Sequence, residues 1–280
     1  MAIRWHFPML AVDISNWNGV LTQDRLTEWR NQGIGLVIPQ AVSPPSGYPP
    51  GVTRQQIEAC ALAGMPTDAY LWVWTHSAVE ADIEAKLSLL DGLEHLVGRL
   101  WLDCEDTAGA TVEDRLDAVR RAFLVMDQWS SDHGKPAPGC YTGRWWWQGY
   151  AADTTEFNDR DLWDADYDGV ADIFYGFVAY GGWPKRALKQ YVGSPLDTNV
   201  LSAAEEARVL GSVPPDPAPA PECDWGWVAK KSDVVSTAGQ LLTVADQLLA
   251  EANRAAGPRK TVVRQLATGE LKPRAERILA

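Results

Sequence analysis

The chain reads as an α/β protein: a (β/α)8-like barrel with incomplete outer helices, followed by a short C-terminal helical tail. Three observations predict this. Eight short apolar runs recur before residue 200. Helix signals separate them in the first half of the chain. A proline-rich stretch then divides this part from a tail of different charge.

The strand candidates are Met9–Ile14, Gly35–Gln40, Thr67–Trp74, Arg99–Cys104, Pro138–Thr142, Leu162–Asp166, Phe174–Tyr180 and Ala187–Val192. Short apolar runs bounded by turn residues suit buried strands. Leu21–Gly33 has a helical pattern. Thr53 with Gln56 reads as a capping box for a helix that ends near Gly64. Another helix, over about residues 79–91, follows Ser77. Thr111 caps a longer one, with Leu116, Val119, Phe123 and Met126 at helical spacing, which stops at Gly134 before Pro136. Strands separated by helices pair in parallel. Helix signals thin out after residue 135, so the outer layer is expected to be incomplete.

The segment GSVPPDPAPAPECD carries five prolines within ten residues and predicts a stiff, extended linker over residues 211–224. The barrel is placed at 1–210 and the tail at 225–280. Residues 223–280 hold nine basic and six acidic residues. The tail is therefore +3, and residues 1–222 carry −15, which together make the net −12. In the tail Ala238, Leu241, Ala245, Leu248 and Ala252 follow a 3–4 spacing, with Leu242 and Leu249 alongside. They predict an amphipathic helix able to anchor, target or self-associate.

Composition excludes several classes. A net charge of −12 opposes general nucleic-acid binding through phosphate neutralisation. No apolar run is long enough for a membrane-spanning helix, so no membrane insertion is expected. The start, MAIRWHFPMLAVDIS, has one arginine and no small-residue cleavage site, which makes a poor secretory signal. Cys60, Cys104, Cys140 and Cys223 show no Cys-x-x-Cys spacing, and there are only 4 histidines. No metal and no cofactor are expected. Tryptophan is abundant at 14 residues, and its flat apolar face with one N–H donor suits sugar rings as well as cores.

The run Leu100-Trp101-Leu102-Asp103-Cys104-Glu105-Asp106 sets two carboxylates at i and i+2 in an apolar stretch. On a strand they share a face, roughly 6–7 Å apart. Buried acids are costly unless something uses them, and acid–base chemistry on a sugar linkage is one such use. The alternative is a strand end with solvated or salt-bridged acids. Barrel enzymes carry their chemistry at the C-terminal ends of strands. Acids recur there: Asp13 ends the first run, Asp103 and Glu105 the fourth, and Asp197 follows the last. Tyr70, Trp72 and Trp74 alternate along the third run, Tyr141 and Trp145–Trp147 follow the fifth, and Trp163 and Tyr167 straddle the sixth. Three consecutive tryptophans cannot all face one groove. Cys104 and Cys140 are assigned to packing.

Together these segments resemble glycoside hydrolase family 25, lysozymes that cleave the β-1,4 bond after N-acetylmuramic acid. The matching pieces are Val12-Asp13-Ile14-Ser15, Leu102-Asp103-Cys104-Glu105 and Cys140-Tyr141-Thr142-Gly143. Leu162-Trp163 with Tyr167, Lys189-Gln190-Tyr191 and Leu196-Asp197-Thr198-Asn199 follow in order, over residues 9–205. The resemblance implies bacterial peptidoglycan as the partner and a catalytic quartet of Asp13, Asp103, Glu105 and Asp197. Glu105 would be the general acid. Asp103 would orient the substrate's own 2-acetamido nucleophile, and Asp13 and Asp197 would set the electrostatics. Tyr70, Trp72, Tyr141, Trp163, Tyr167 and Tyr191 are the candidates for the sugar groove. The chain departs from the family pattern at Val37-Ile38-Pro39-Gln40-Ala41, which lacks a lysine, and at Tyr70-Leu71-Trp72, where the family carries Tyr-His-Phe. Two rival readings are a non-catalytic glycan-binding or structural barrel in a phage particle and a chitinase-like hydrolase. Without a secretory signal, a phage particle or holin-dependent release from a host cytoplasm is the expected route to the wall. The tail would then bind a virion partner or a second copy.

Overall fold

The computed structural model describes residues 8–42, 51–75, 78–108 and 111–212. The chain divides into two units after Pro214. The predicted linker beyond residue 212 and the predicted tail helix lie outside the described residues.

Eight strands close a barrel in sequence order. They are β1 (Leu10–Ile14), β2 (Ile34–Pro39), β3 (Thr67–Trp72), β4 (Val97–Asp103), β5 (Gly139–Thr142), β6 (Leu162–Ala165), β7 (Leu188–Val192) and β8 (Thr198–Leu201). Pairing is parallel from β1 to β7. The closing strand β8 is antiparallel to both β7 and β1. Helices α1 (Gln23–Asn31), α2 (Val52–Leu62), α3 (Val79–Leu87), α4 (Val112–Asp132) and α5 (Arg144–Tyr150) follow the first five strands, and α6 (Ala203–Ser212) follows the last. No helix covers the β6–β7 or β7–β8 connections, so the outer layer is incomplete on that side.

Two strand assignments change. Phe174–Tyr180 is a loop, not a strand; only Tyr180 makes an isolated bridge, to Trp183. β6 already pairs with β7, Trp163 against Leu188, so no sheet edge remains for this segment. Its Phe174, Tyr175 and Val178 are left exposed. The place of the missing strand is taken by Thr198–Leu201. The expectation of parallel pairing therefore fails at β8, because a five-residue turn from β7 can only return the chain antiparallel.

Local signals explain most helices. Thr22 accepts the Arg25 N–H at the start of α1. At α4, Thr111 and Asp114 form a reciprocal capping box. The α2 expectation needs correction, since its N-cap is Gly51, whose φ of 101° no side-chain-bearing residue adopts readily. Thr53 instead donates its hydroxyl to the Gln40 carbonyl. Buried Gln56 donates to the Ser15 and Gly19 carbonyls. Long-range bonds that tie α2 to the strand ends have displaced the local cap. The Ser77 cap falls outside the described residues, and α3 begins after Ala78.

Alternation along the strands separates two kinds of packing. Leu100 and Leu102 of β4, with Cys104 just beyond its end, face α3 and α4 and join Val119, Phe123 and Met126 in the outer core. Trp101 points inside, with Ala11, Leu36, Ile38, Trp163, Leu188 and Leu201. Trp101 and Trp163 meet edge to face at 5.7 Å and plug the barrel. Below them sits a buried ion network. Asp68 accepts the Trp101 indole N–H (3.0 Å), the Arg99 backbone N–H (2.9 Å) and an Arg208 N–H from α6 (2.6 Å). Arg99 reaches Asp161 and Glu205. Paired in this way, the charges form a floor that leaves only the opposite mouth open to chemistry.

A side chain at Gly139 would fall within the Trp101 ring and against the Asp161 carbonyl. Gly139→Ala should therefore destabilise the barrel by about 1–3 kcal/mol, read as a lower urea midpoint by tryptophan fluorescence. A midpoint equal to that of the parent chain would refute the tight plug.

Candidate active site

Every acid at the mouth is placed by strand geometry. Asp13 follows Ala11 on the inner face of β1, and Asp103 follows Trp101 on the inner face of β4. Glu105 is two residues beyond Asp103, and the two carboxylates act on each other electrostatically. Asp197 comes from the β7–β8 turn. Because β8 runs antiparallel, its first residue lies at the mouth, and Asp13 N–H donates to the Asp197 carbonyl.

Asp13 is held by two amides. Gln190 Nε2 and Asn199 Nδ2 both donate to its Oδ1, each at 2.8 Å. Those amides are themselves fixed. Trp163 Nε1 donates to Asn199 Oδ1 at 2.7 Å. The Tyr141 and Tyr167 hydroxyls donate to Gln190 Oε1 at 2.6 and 2.9 Å. One carboxylate thus organises side chains from β1, β5, β6, β7 and β8. Burial, and then the charge of Asp197, push its pKa up to about 7, against the lowering effect of the two amides.

Asp103 is buried, and its Oδ1 has no hydrogen-bond partner among the described residues. Burial first, then the charges of Glu105 and Asp13, hold its carboxyl well above the usual range. Glu105 is half-buried, and burial with the charge of Asp197 pushes it up to about 7. Asp197 is raised by burial. All four carboxylates act on the Tyr70 phenol, which marks their common centre. Trp72 pairs in register with Asp103 across β3 and β4, and its indole N–H is also buried without a partner. An acceptor and a donor without partners on adjacent strands are costly to leave unmade, and a bound amide-bearing ligand can satisfy such groups. Among the described residues no His, Cys, Asp and Glu cluster could hold a metal ion.

The predicted aromatic set divides. Tyr70, Trp72 and Tyr167 stand at or beside the acids with surface to offer. Tyr141 and Trp163 are buried in the barrel interior, at 6% and 1% exposure. They lie in register with Asp103, support Gln190 and Asn199 through their polar atoms, and offer little accessible surface. Tyr191 follows Gln190, so alternation turns it to the other face of β7; burial alone raises its pKa, with no contribution from the four acids. In α5, Trp146 and Trp147 are buried and Trp145 is exposed. Cys104 and Cys140 are buried behind the site, with their sulfurs 3.9 Å apart. Gln190 and Asn199 were quoted in the sequence motifs without a role. Their signal was an amide side chain at an inward position of an apolar run.

These raised acids bind protons in the folded barrel that they release near pH 4 when unfolded. Between about pH 4 and 7 the folded state holds more protons, so stability should fall as pH rises through this window and level off above it. Asp13→Asn keeps an oxygen for both amides and removes the buried charge. It should flatten this slope and raise stability at pH 8 by on the order of 2 kcal/mol, measured by urea unfolding across pH. A lower midpoint at pH 8 would contradict the assignment.

Comparison with known proteins agrees with this architecture. The sequence profile of the glycosyl hydrolases family 25 matches residues 12–194. A curated relative from Dictyostelium discoideum, described as "Probable GH family 25 lysozyme 3", is 25% identical over 151 residues. That match covers 51% of this chain and 30% of the relative's length. The barrel also superposes on a family GH25 lysozyme from Aspergillus fumigatus, with a TM-score of 0.58, 15% identity and coverage of 75% of this chain and 100% of that one. A bacterial lysozyme from Streptomyces coelicolor gives a TM-score of 0.58 at 16% identity, covering 74% and 97%. The catalytic domain of an endolysin from a Listeria monocytogenes bacteriophage gives 0.54 at 21% identity, covering 74% and 98%. These structural likenesses concern the fold, and the profile match extends over most of the barrel. The chain belongs to glycosyl hydrolase family 25.

Proposed function

We propose that this chain is a peptidoglycan hydrolase that cleaves the β-1,4 bond between N-acetylmuramic acid and N-acetylglucosamine. The family carries the coarse reading. The observation that carries the finer one is the pair Asp103 and Glu105, two coupled acids with different environments at one strand end.

Glu105 is half-buried, and its pKa near 7 leaves it substantially protonated at neutral pH. That suits a general acid. It would pass its proton to the glycosidic oxygen as the C1–O bond breaks. The carbonyl oxygen of the substrate's acetamido group would attack C1 and form a cyclic intermediate. Asp103, with its unpartnered buried oxygen, would accept the acetamido N–H and so orient the acetamido group. Water would then add at C1 and return its proton to Glu105. Anomeric configuration is retained, and the route is the substrate-assisted exception to the two-carboxylate schemes. The charge of Asp197 would help keep Glu105 protonated, and that of Asp13 would raise Asp103.

Glu105→Gln should lower the release of reducing ends from purified peptidoglycan by about 10²–10⁴-fold, with an unchanged circular dichroism spectrum. Mass spectrometry of the digests should find N-acetylmuramic acid at the new reducing end. In the parent enzyme, kcat/KM should fall as pH rises through about 7, following loss of the Glu105 proton. Digests from several wall types without any new reducing ends would overturn the proposal. Cleavage confined to chitin oligomers would replace its substrate.

A further inference from the structure

A cavity of about 460 Å³ opens between the first turn of α5 and the 166–180 loop. Its volume falls in the range of small-molecule sites. Arg144, Trp145, Gln148, Tyr167 and Val178 supply its accessible lining. Tyr167 connects it to the acids, since its hydroxyl also bonds Gln190, which holds Asp13. A polymer seated at the acids therefore reaches this cavity one side chain away.

The cavity's charge is distinctive. Two acids also line it: buried Asp164 pairs with buried Arg186 at 2.7 Å, and half-exposed Asp166 is shared between the same Arg186 at 3.0 Å and Lys189 at 3.9 Å. Arg144 is exposed and has no acidic partner among the described residues. In a barrel region carrying −15, the cavity offers a free guanidinium beside an exposed indole and an exposed valine. In the intact wall polymer the lactyl carboxyl of N-acetylmuramic acid is tied up as the amide that carries the stem, so the anionic groups are the carboxylates of the attached peptides. A guanidinium suits a carboxylate, with bidentate charge-assisted hydrogen bonds. Trp145 and Val178 suit the methyl side chains of a short alanine-containing peptide.

We propose that this cavity binds the peptide stem of the wall polymer, with Arg144 taking a stem carboxylate. The assignment rests on the peptidoglycan reading given above. It makes the enzyme prefer peptide-bearing strands to bare glycan.

The test compares soluble peptidoglycan strands with the same strands stripped of peptide by an amidase, the lactyl carboxylates so freed being capped as methylamides. The parent enzyme should show a lower KM on the peptide-bearing strands. In Arg144→Ala the KM ratio between stripped and peptide-bearing strands should fall about tenfold or more, with kcat on peptide-bearing strands retained. Val178→Asp, which sets a negative charge in the cavity, should lower the ratio in the same direction. An unchanged ratio in both variants would overturn the proposal. So would an equal loss on both substrates, which would assign the cavity to sugar. If the parent chain cleaves neither substrate, the hydrolase reading fails separately. Calorimetric titration of a disaccharide-peptide fragment then decides the cavity. Binding that is weakened in Arg144→Ala supports it, and binding equal in parent and variant, or absent in both, refutes it.

Discussion

Closure of the barrel by one short antiparallel strand is the constraint on which the site depends. β8 is four residues long and lies between β7 and β1. Its antiparallel direction sets its first residue, not its last, at the mouth. Asp197 arrives beside Asp13 for that reason, and Asn199, two residues on, faces inward to bond it. A parallel strand with the same sequence would send these residues to the floor. The clamp on Asp13 then draws in Gln190, Tyr141, Tyr167 and Trp163, so barrel closure and site assembly are one event.

The interior is layered by polarity along the barrel axis. The floor is a network in which Asp68, Arg99, Arg208 and Glu205 neutralise each other. The middle is aromatic and aliphatic, and the Trp101–Trp163 contact fills it. The mouth carries four acids and, on their inner side, few cations. This order decides the electrostatics. Burial and mutual repulsion outweigh the one cation, Lys86, that acts on Asp103, so these carboxylates hold their protons, which costs stability at neutral pH and supplies proton donors there. The plug matters as much as the acids, since access of water from below would remove the desolvation that raises them.

The side of the barrel without outer helices has a different role. Between β6 and β8 the chain spends its residues on the 166–180 loop, with exposed aromatics and an arginine, Arg186, tied to two acids. That loop and the start of α5 extend the mouth into a lobe outside the acid cluster. Loops on a rigid barrel carry specificity more readily than strands do. The departure of this chain from the family pattern at Trp72 also lies at the mouth.

The sequence by itself determined what depends on near neighbours. Alternation made Asp103 and Glu105 a same-face pair, apolar runs marked seven of the eight strands, and Thr111 with Asp114 set the start of α4. Spacing within α5 already implied that its three tryptophans could not share one groove. Only the tertiary structure decided what depends on distant partners. It gave Phe174–Tyr180 to a loop, because no sheet edge was left to receive it, and made a strand of Thr198–Leu201, which is too short to stand out in sequence. It turned Thr53 and Gln56 from a local cap into long-range ties, and it buried Tyr141 and Trp163 as supports for Gln190 and Asn199. The reason is common to all of these. Side-chain direction along one strand or helix follows from its own periodicity, whereas burial and hydrogen-bond partners are set by which strand closes the barrel.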